Sequence, residues 1–120
     1  MSNFDHEILN TVQQVLELAT SKGLTLGCVE SCTGGLVGAA LTAVPGASDA
    51  YAGGLVTDED EAKVRLVGVD RDALEKHGAG SSPVAAHMAM GGMSVLGVDR
   101  CVSITGIAGP GGGTEDKPVG

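Results

Sequence analysis

Aromatic residues are almost missing from this chain, which has no Trp, one Tyr and one Phe in 120 residues. That scarcity excludes a base-stacking platform for single-stranded nucleic acid. Basic residues are also few: seven Lys and Arg against fifteen Asp and Glu give a formal charge of −8, which repels nucleic acid. No apolar run is long enough to span a membrane, and the N-terminus lacks the basic start and apolar centre of a signal peptide. We therefore expect a soluble, cytoplasmic protein that binds neither nucleic acid nor membrane.

Cysteine is scarce too, with three residues at Cys28, Cys32 and Cys101. An odd number without CxxC pairs argues against a disulfide framework and against a zinc site. Cys28 and Cys101 lie in apolar, strand-like runs and are expected to be small buried side chains. Cys32 is the one placed to react, although most free cysteines are structural. We expect no metal and no cofactor.

Hydrophobic periodicity predicts an alternation of helices and strands in a single domain covering residues 1–120. The predicted helices cover about 5–21, 36–44, 58–67, 70–77 and 82–96, and the predicted strands 24–29, 50–57 and 99–105. Strands that alternate with helices indicate βαβ units and hence an α/β sandwich with a largely parallel sheet. The sequence stops just after a glycine-rich loop, where another strand would follow, so we expect a fragment that is incomplete at its C-terminal end.

Ser31 follows the first strand and precedes a helix that starts at Leu36, so it lies where a strand's carboxyl end turns into a helix. Ligands bind at that edge of open α/β sheets. The turn directs unpaired N–H groups and the positive end of the helix toward a ligand, and Gly34 and Gly35 allow close approach of the backbone. A hydroxyl beside such N–H groups is half of an acyl-transfer site.

A nucleophilic Ser31 needs a base. His6, His77 and His87 all lie away from the carboxyl ends of the predicted strands, so a Ser-His-Asp triad is disfavoured. Lys63 lies on a helix that begins at the carboxyl end of the second strand, and it could act as a base only if burial lowered its pKa. On spacing alone, and with acidic residues nearby, a solvated lysine on the helix surface is the favoured interpretation.

The stretch from Thr105 to Thr114 is rich in glycine and follows the third strand. Its backbone N–H groups could hold a phosphate. It matches neither GxxxxGK[ST] nor GxGxxG, so a flexible surface loop and a phosphate-binding loop are both open at this point.

Two long motifs and several short ones resemble the C-terminal domain of the CinA proteins, a family that contains the nicotinamide-nucleotide amidases (nicotinamide mononucleotide deamidases). The motifs occur in the family's order over the chain: Glu30-Ser31-Cys32-Thr33-Gly34-Gly35-Leu36, Val44-Pro45-Gly46, Glu61-Ala62-Lys63, His77-Gly78, the loop 105–114, and Lys117-Pro118-Val119-Gly120.

The resemblance implies a three-layer α/β/α fold and a metal-free serine–lysine amidohydrolase. Such an enzyme converts nicotinamide mononucleotide to nicotinate mononucleotide and ammonia in pyridine-nucleotide salvage. By motif position Ser31 is the nucleophile and Lys63 is the base, which reverses the interpretation from spacing. The expected substrate contacts are Glu30, Thr33, Gly34, Gly35, Thr105, Gly106, Ala108 and Gly109.

The chain departs from the family pattern beside the expected base. Asp58 stands where the family commonly has Tyr, and Asp60 where it often has Asn. The family also continues past Gly120 into a further strand and helix. Asp58 and the missing end favour an alternative from another class, a non-catalytic nucleotide-binding or interaction module. The presence of Ser31 and Lys63 favours the enzyme. The apolar, glycine-rich helices are compatible with a homo-oligomer in either case.

Overall fold

The computed structural model describes residues 3–120. Its helices are α1 (His6–Lys22), α2 (Leu36–Thr42), α3 (Asp60–Val67), α4 (Arg71–His77) and α5 (Ser82–Leu96), with a short 3₁₀ helix at Ala47–Asp49. Its strands are β1 (Leu26–Glu30), β2 (Tyr51–Val56) and β3 (Arg100–Ile104). The predicted elements are confirmed, and their ends shift by a few residues. No helix in the described range is long and apolar enough to cross a membrane.

Capping residues fix where the helices begin and end. Asp5 accepts a hydrogen bond from the Ile8 N–H at 2.9 Å and starts α1, which ends at Gly23 in the left-handed conformation. Ser81 caps α5 through the Val84 N–H, and a proline occupies the first turn of that helix. Such capping residues can be recognised in the sequence, so the starts of these helices were predicted well.

The three strands form a parallel sheet in the order β2-β1-β3. The register pairs Glu30 of β1 with Val56 of β2 and with Ile104 of β3, so the three carboxyl ends lie side by side. The expected α/β fold with a parallel sheet is therefore confirmed. Residues that follow these three positions are brought to one edge.

Helices cover both faces of the sheet and give three layers. On one face α1 and α2 pack around a core of Val12, Leu16, Ala19, Ala40, Leu41, Ala47 and Ala50. On the other face α3, α4 and α5 enclose Val29, Val67, Val69, Val84 and Met88. Side chains alternate along β1, so Val29 points into the second core and Glu30 points toward α2.

Two glycines in α5 have a packing role that propensity does not show. By propensity alone each costs about 1 kcal/mol relative to Ala. A Cβ atom on Gly91 would collide with the backbone carbonyl of Val67 at the end of α3, and one on Gly92 would collide with the Val29 side chain. The glycines let α5 lie directly against α3 and β1, so they fix the position of α3.

Candidate active site

The Ser31 turn is anchored from both sides. The Ser31 N–H donates to the carbonyl of Ile104 at 2.9 Å, so the first residue after β1 is still tied to β3. Gly34 and Gly35 then take φ values of +63° and +112°, which side chains rarely allow, and α2 begins at Leu36. Ser31 itself is 7% exposed, so its hydroxyl lies just below the surface.

The buried carboxylate of Glu30 stabilises this turn by hydrogen bonds. Its carboxylate is 2% exposed and accepts hydrogen bonds from the Thr33 hydroxyl at 2.6 Å, the Val37 N–H at 2.9 Å and the Gly38 N–H at 3.0 Å. Burial raises the pKa of Glu30, but these hydrogen bonds outweigh it and the pKa is lowered overall. The carboxylate thus accepts hydrogen bonds from free N–H groups in the first turn of α2. The expected contact of Glu30 with substrate stays a prediction.

We expect Glu30→Gln to lower the free energy of unfolding at pH 7 by about 1–2 kcal/mol, because the amide nitrogen cannot accept these bonds. Since folding lowers the pKa of Glu30 below its ordinary 4.5, its stabilisation is present above that pH and is lost as the pH falls through the folded value. The difference between wild type and variant in urea denaturation should therefore shrink in acid. Glu75→Gln, at an exposed carboxylate of α4, is the control and should change little.

Lys63 reaches the Ser31 hydroxyl from α3. Its Nζ atom lies 3.1 Å from Ser31 Oγ, 2.7 Å from the Thr57 carbonyl oxygen and 2.8 Å from the Asp58 carbonyl oxygen. The side chain is 0% exposed. The interpretation of Lys63 as a solvated surface lysine is therefore wrong, because the end of β2 folds back over the amine and excludes water.

The surroundings of Lys63 favour the neutral amine. Burial lowers the pKa of Lys63 from its ordinary 10.5, against the opposing charges of Asp60 and Asp58. The two carbonyl oxygens can only accept hydrogen bonds. A neutral amine has two N–H bonds, and donating both to Thr57 and Asp58 leaves its lone pair for the Ser31 hydroxyl. This arrangement suits removal of a proton from Ser31.

Unused N–H donors lie directly after Ser31. In the described chain the Cys32 and Thr33 N–H groups have no hydrogen-bond partner, whereas the Ser31 and Gly34 N–H groups donate to Ile104 and Ser31 carbonyls. Such paired donors are what an oxyanion requires. The Cys32 and Thr33 N–H groups, which directly follow Ser31 in the chain, are therefore available to bind one.

The glycine-rich loop starts beside this turn. The Thr105 hydroxyl donates to the Ala79 carbonyl at 2.8 Å, and a Cβ on Gly106 would lie 3.7 Å from the Cys32 sulfur. Further along, Ile107 pairs with Val119 in a parallel bridge, and Gly109 packs against Val119. The structure thus brings Thr105 and Gly106 to the Ser31 turn.

Lys117 ties down the far end of the glycine-rich loop by donating to the carbonyl of His77. Ala108 and Gly109 lie further out on the same loop, in its more exposed part. The substrate contacts expected of the loop residues stay predictions.

None of the histidines joins this site. His87 accepts a hydrogen bond from the Asp70 N–H at 3.3 Å between α4 and α5, and His77 ends α4. Cys28 is buried, as expected. The expectation that Cys101 is buried is wrong: it is half-buried, because β3 is an edge strand of the sheet. Cys32 is exposed, and its reactivity stays a prediction.

Two features of this site were not predicted from the sequence. One is the pair of carbonyl groups that hold Lys63, and the other is Thr57, whose buried hydroxyl has no partner in the described chain. The available signal was that Thr57 ends the predicted second strand, at the same edge as Ser31.

The chain matches the family model of the CinA C-terminal domain over residues 9–120. A CinA-like protein of Chlorobaculum tepidum is 56% identical over 106 residues, which cover 88% of this chain and 25% of that protein. A putative competence-damage inducible protein of Moorella thermoacetica is 48% identical over 118 residues, covering 94% of this chain and 28% of that protein. The chain spans about a quarter of the length of these relatives.

Solved structures show the same fold. The competence/damage inducible protein CihA from Agrobacterium tumefaciens superimposes with a TM-score of 0.91 at 39% identity, covering 99% of this chain and 72% of that chain. A CinA superfamily protein from Escherichia coli gives a TM-score of 0.90 at 33% identity, covering 98% of this chain and 70% of that chain.

Proposed function

This chain belongs to the CinA C-terminal domain family, and on that premise we propose that it is an amidohydrolase that converts nicotinamide mononucleotide to nicotinate mononucleotide and ammonia. The observation that carries the proposal is the contact of 3.1 Å between the Ser31 hydroxyl and a fully buried Lys63 amine. A lysine has no reason to be buried beside a serine for stability alone, since burial of its charge is costly. A serine–lysine pair of this kind activates a nucleophile.

In the proposed reaction Lys63 takes the proton from Ser31 as the Ser31 oxygen attacks the carboxamide carbon. The resulting oxyanion accepts hydrogen bonds from the Cys32 and Thr33 N–H groups. Lys63 then gives its proton to the amide nitrogen, the C–N bond breaks and ammonia leaves. A water molecule hydrolyses the remaining ester on Ser31 and releases the carboxylate product.

The glycine-rich loop is proposed to seat the nucleotide. It begins at Thr105, beside the Ser31 turn, and it carries backbone N–H groups that suit the phosphate. The acidic side chains of Asp58 and Asp60 lie near the amine of Lys63 and act on its charge. The cationic ring of the substrate would then face the acidic side and the phosphate the glycine-rich side.

The test is product formation together with capture of the intermediate. Incubation with nicotinamide mononucleotide should release ammonia and nicotinate mononucleotide in equal amounts, and acid quenching followed by mass spectrometry should find the acyl group on the peptide that contains Ser31. Free nicotinamide, which lacks the nucleotide, is the matched control and should react much more slowly. Ammonia without an acyl group on Ser31 would refute the covalent mechanism.

The alternative is a nucleotide-binding module without turnover. Asp58 favours it, because a carboxylate replaces the tyrosine common in the family beside the base. Calorimetric binding of nicotinamide mononucleotide with no ammonia release over hours would support this alternative and overturn the enzyme.

A further inference from the structure

Thr57 has a buried hydroxyl that the fold does not use. The residue is 0% exposed, and its Oγ1 atom has no hydrogen-bond partner in the described chain. Its backbone is fully engaged: the N–H donates to the backbone carbonyl of Glu30 at 2.8 Å, and the carbonyl accepts from Lys63 at 2.7 Å. An unpaired buried hydroxyl is destabilising, so its presence needs a reason outside the folded chain itself.

Strand alternation assigns the Thr57 side chain to the same face of the sheet as the proposed nucleophile. Leu55 of β2 packs in the core that contains Val29 of β1. Thr57 follows Leu55 by two positions and Ser31 follows Val29 by two. The alternation of the strands, continued by one residue past their ends at Val56 and Glu30, assigns both side chains to that face. Adjacent strands are about 4.8 Å apart. The Lys63 amine connects the two residues by hydrogen bonds to Ser31 Oγ and to the Thr57 carbonyl oxygen.

Acylation and deacylation, the two steps of the proposed reaction, require different hydrogen bonds around Ser31 and Lys63. During acylation the Lys63 lone pair faces the Ser31 hydroxyl, and neither group needs the Thr57 hydroxyl as a partner. After acylation Ser31 Oγ is an ester oxygen and can no longer donate to Lys63. A water molecule must take the place of that hydroxyl proton, and an ordered water needs further polar partners to hold it.

We propose that Thr57 positions the water that hydrolyses the acyl-enzyme, an inference that rests on the proposed amidohydrolase function. The Thr57 hydroxyl and the Lys63 amine hold this water beside the ester carbon. The water oxygen bonds to that carbon while its proton passes to Lys63. The bond between the carbon and Ser31 Oγ then breaks, Lys63 returns the proton to Ser31, and the carboxylic acid loses its own proton to solvent.

The experiment compares Thr57→Val, which removes the hydroxyl at nearly constant shape, with Thr57→Ser, which keeps it. The acyl-enzyme is formed with nicotinamide mononucleotide, excess substrate is removed rapidly, and the decay of the acyl group on Ser31 is followed by mass spectrometry. We expect decay to slow by about 10- to 100-fold in Thr57→Val, with a rate near wild type in Thr57→Ser. The rate of the initial ammonia burst should change little, and the unfolding midpoint of Thr57→Val should not fall.

Other outcomes separate this inference from its premise. Decay at the wild-type rate in Thr57→Val, or a slowed ammonia burst with unchanged decay, would overturn the role of Thr57 while leaving the amidohydrolase function intact. A lowered unfolding midpoint with both steps slowed equally would show a structural role instead. Absence of ammonia release from the wild type would refute the proposed function and the inference together.

Discussion

Ser31→Ala should lower kcat/KM for nicotinamide mononucleotide by about 10⁴-fold or more, and Lys63→Met by about 10²- to 10⁴-fold. The first change removes the atom that forms the acyl bond, and the second removes the amine that lies 3.1 Å from it. Because the two residues act as a unit, the double variant should be little worse than the worse single variant. Steady-state ammonia release measures all three, and Ser94→Ala and Lys76→Met, at exposed positions, are the controls.

The pH dependence gives a second readout of the same pair. Because the neutral amine is the base, kcat/KM should rise with pH and level off at the pKa of Lys63, below its ordinary 10.5. The free energy of unfolding should also depend on the protonation of Lys63. Above the pKa of Lys63 in the folded chain, the unfolded chain still binds the proton that the folded chain has lost. The free energy of unfolding should therefore rise with pH up to 10.5 in the wild type, and Lys63→Met should lack this slope. Identical slopes in both proteins would contradict a buried amine with a lowered pKa.

Gly91→Ala should lower the free energy of unfolding by about 3 kcal/mol, although alanine is the better helix former by about 1 kcal/mol. The added Cβ would run into the carbonyl of Val67, which is backbone and cannot rotate away. Relief therefore requires α5 to move away from α3. Because α3 carries Lys63, the loss of stability should come with reduced turnover.

Urea denaturation checks this prediction, with Ser94→Ala as the matched control on the same helix. Ser94 is exposed, so its replacement should leave stability unchanged or raise it slightly. A gain in stability in Gly91→Ala would contradict the close contact of α5 with α3.

Local signals in the sequence were enough to predict the order of helices and strands. Asp5, Gly23 and Ser81 marked helix ends through short-range hydrogen bonds and backbone conformation, which a local pattern encodes. The carboxyl edge as the location of Ser31 followed from the alternation of strands and helices, since parallel strands end at one edge.

The environment of Lys63 was not predictable from local pattern. A lysine among Asp58, Asp60 and Glu61 has the composition of a solvated helix face. Its burial depends on the carbonyl groups at the end of β2 and on α5 lying against α3, both of which are tertiary features. Only the family resemblance indicated its role. The unpaired hydroxyl of Thr57 was likewise out of reach, because a missing hydrogen bond has no sequence signature.

The amine of Lys63 binds the carbonyls of residues five and six positions earlier in its own chain, whereas its contact with Ser31 joins residues 32 positions apart. The two carbonyl contacts of the amine thus lie within one heptapeptide, residues 57–63, whereas its alignment with Ser31 depends on the register of β1 against β2. A change in the strand register would move Lys63 away from Ser31 without changing the pKa of the amine. Loss of the contacts within residues 57–63 would expose the amine to water and leave it protonated, although still aligned with Ser31. The first change should lower the maximum kcat/KM, and the second should shift the pH at which kcat/KM levels off, so the pH profile of activity distinguishes them.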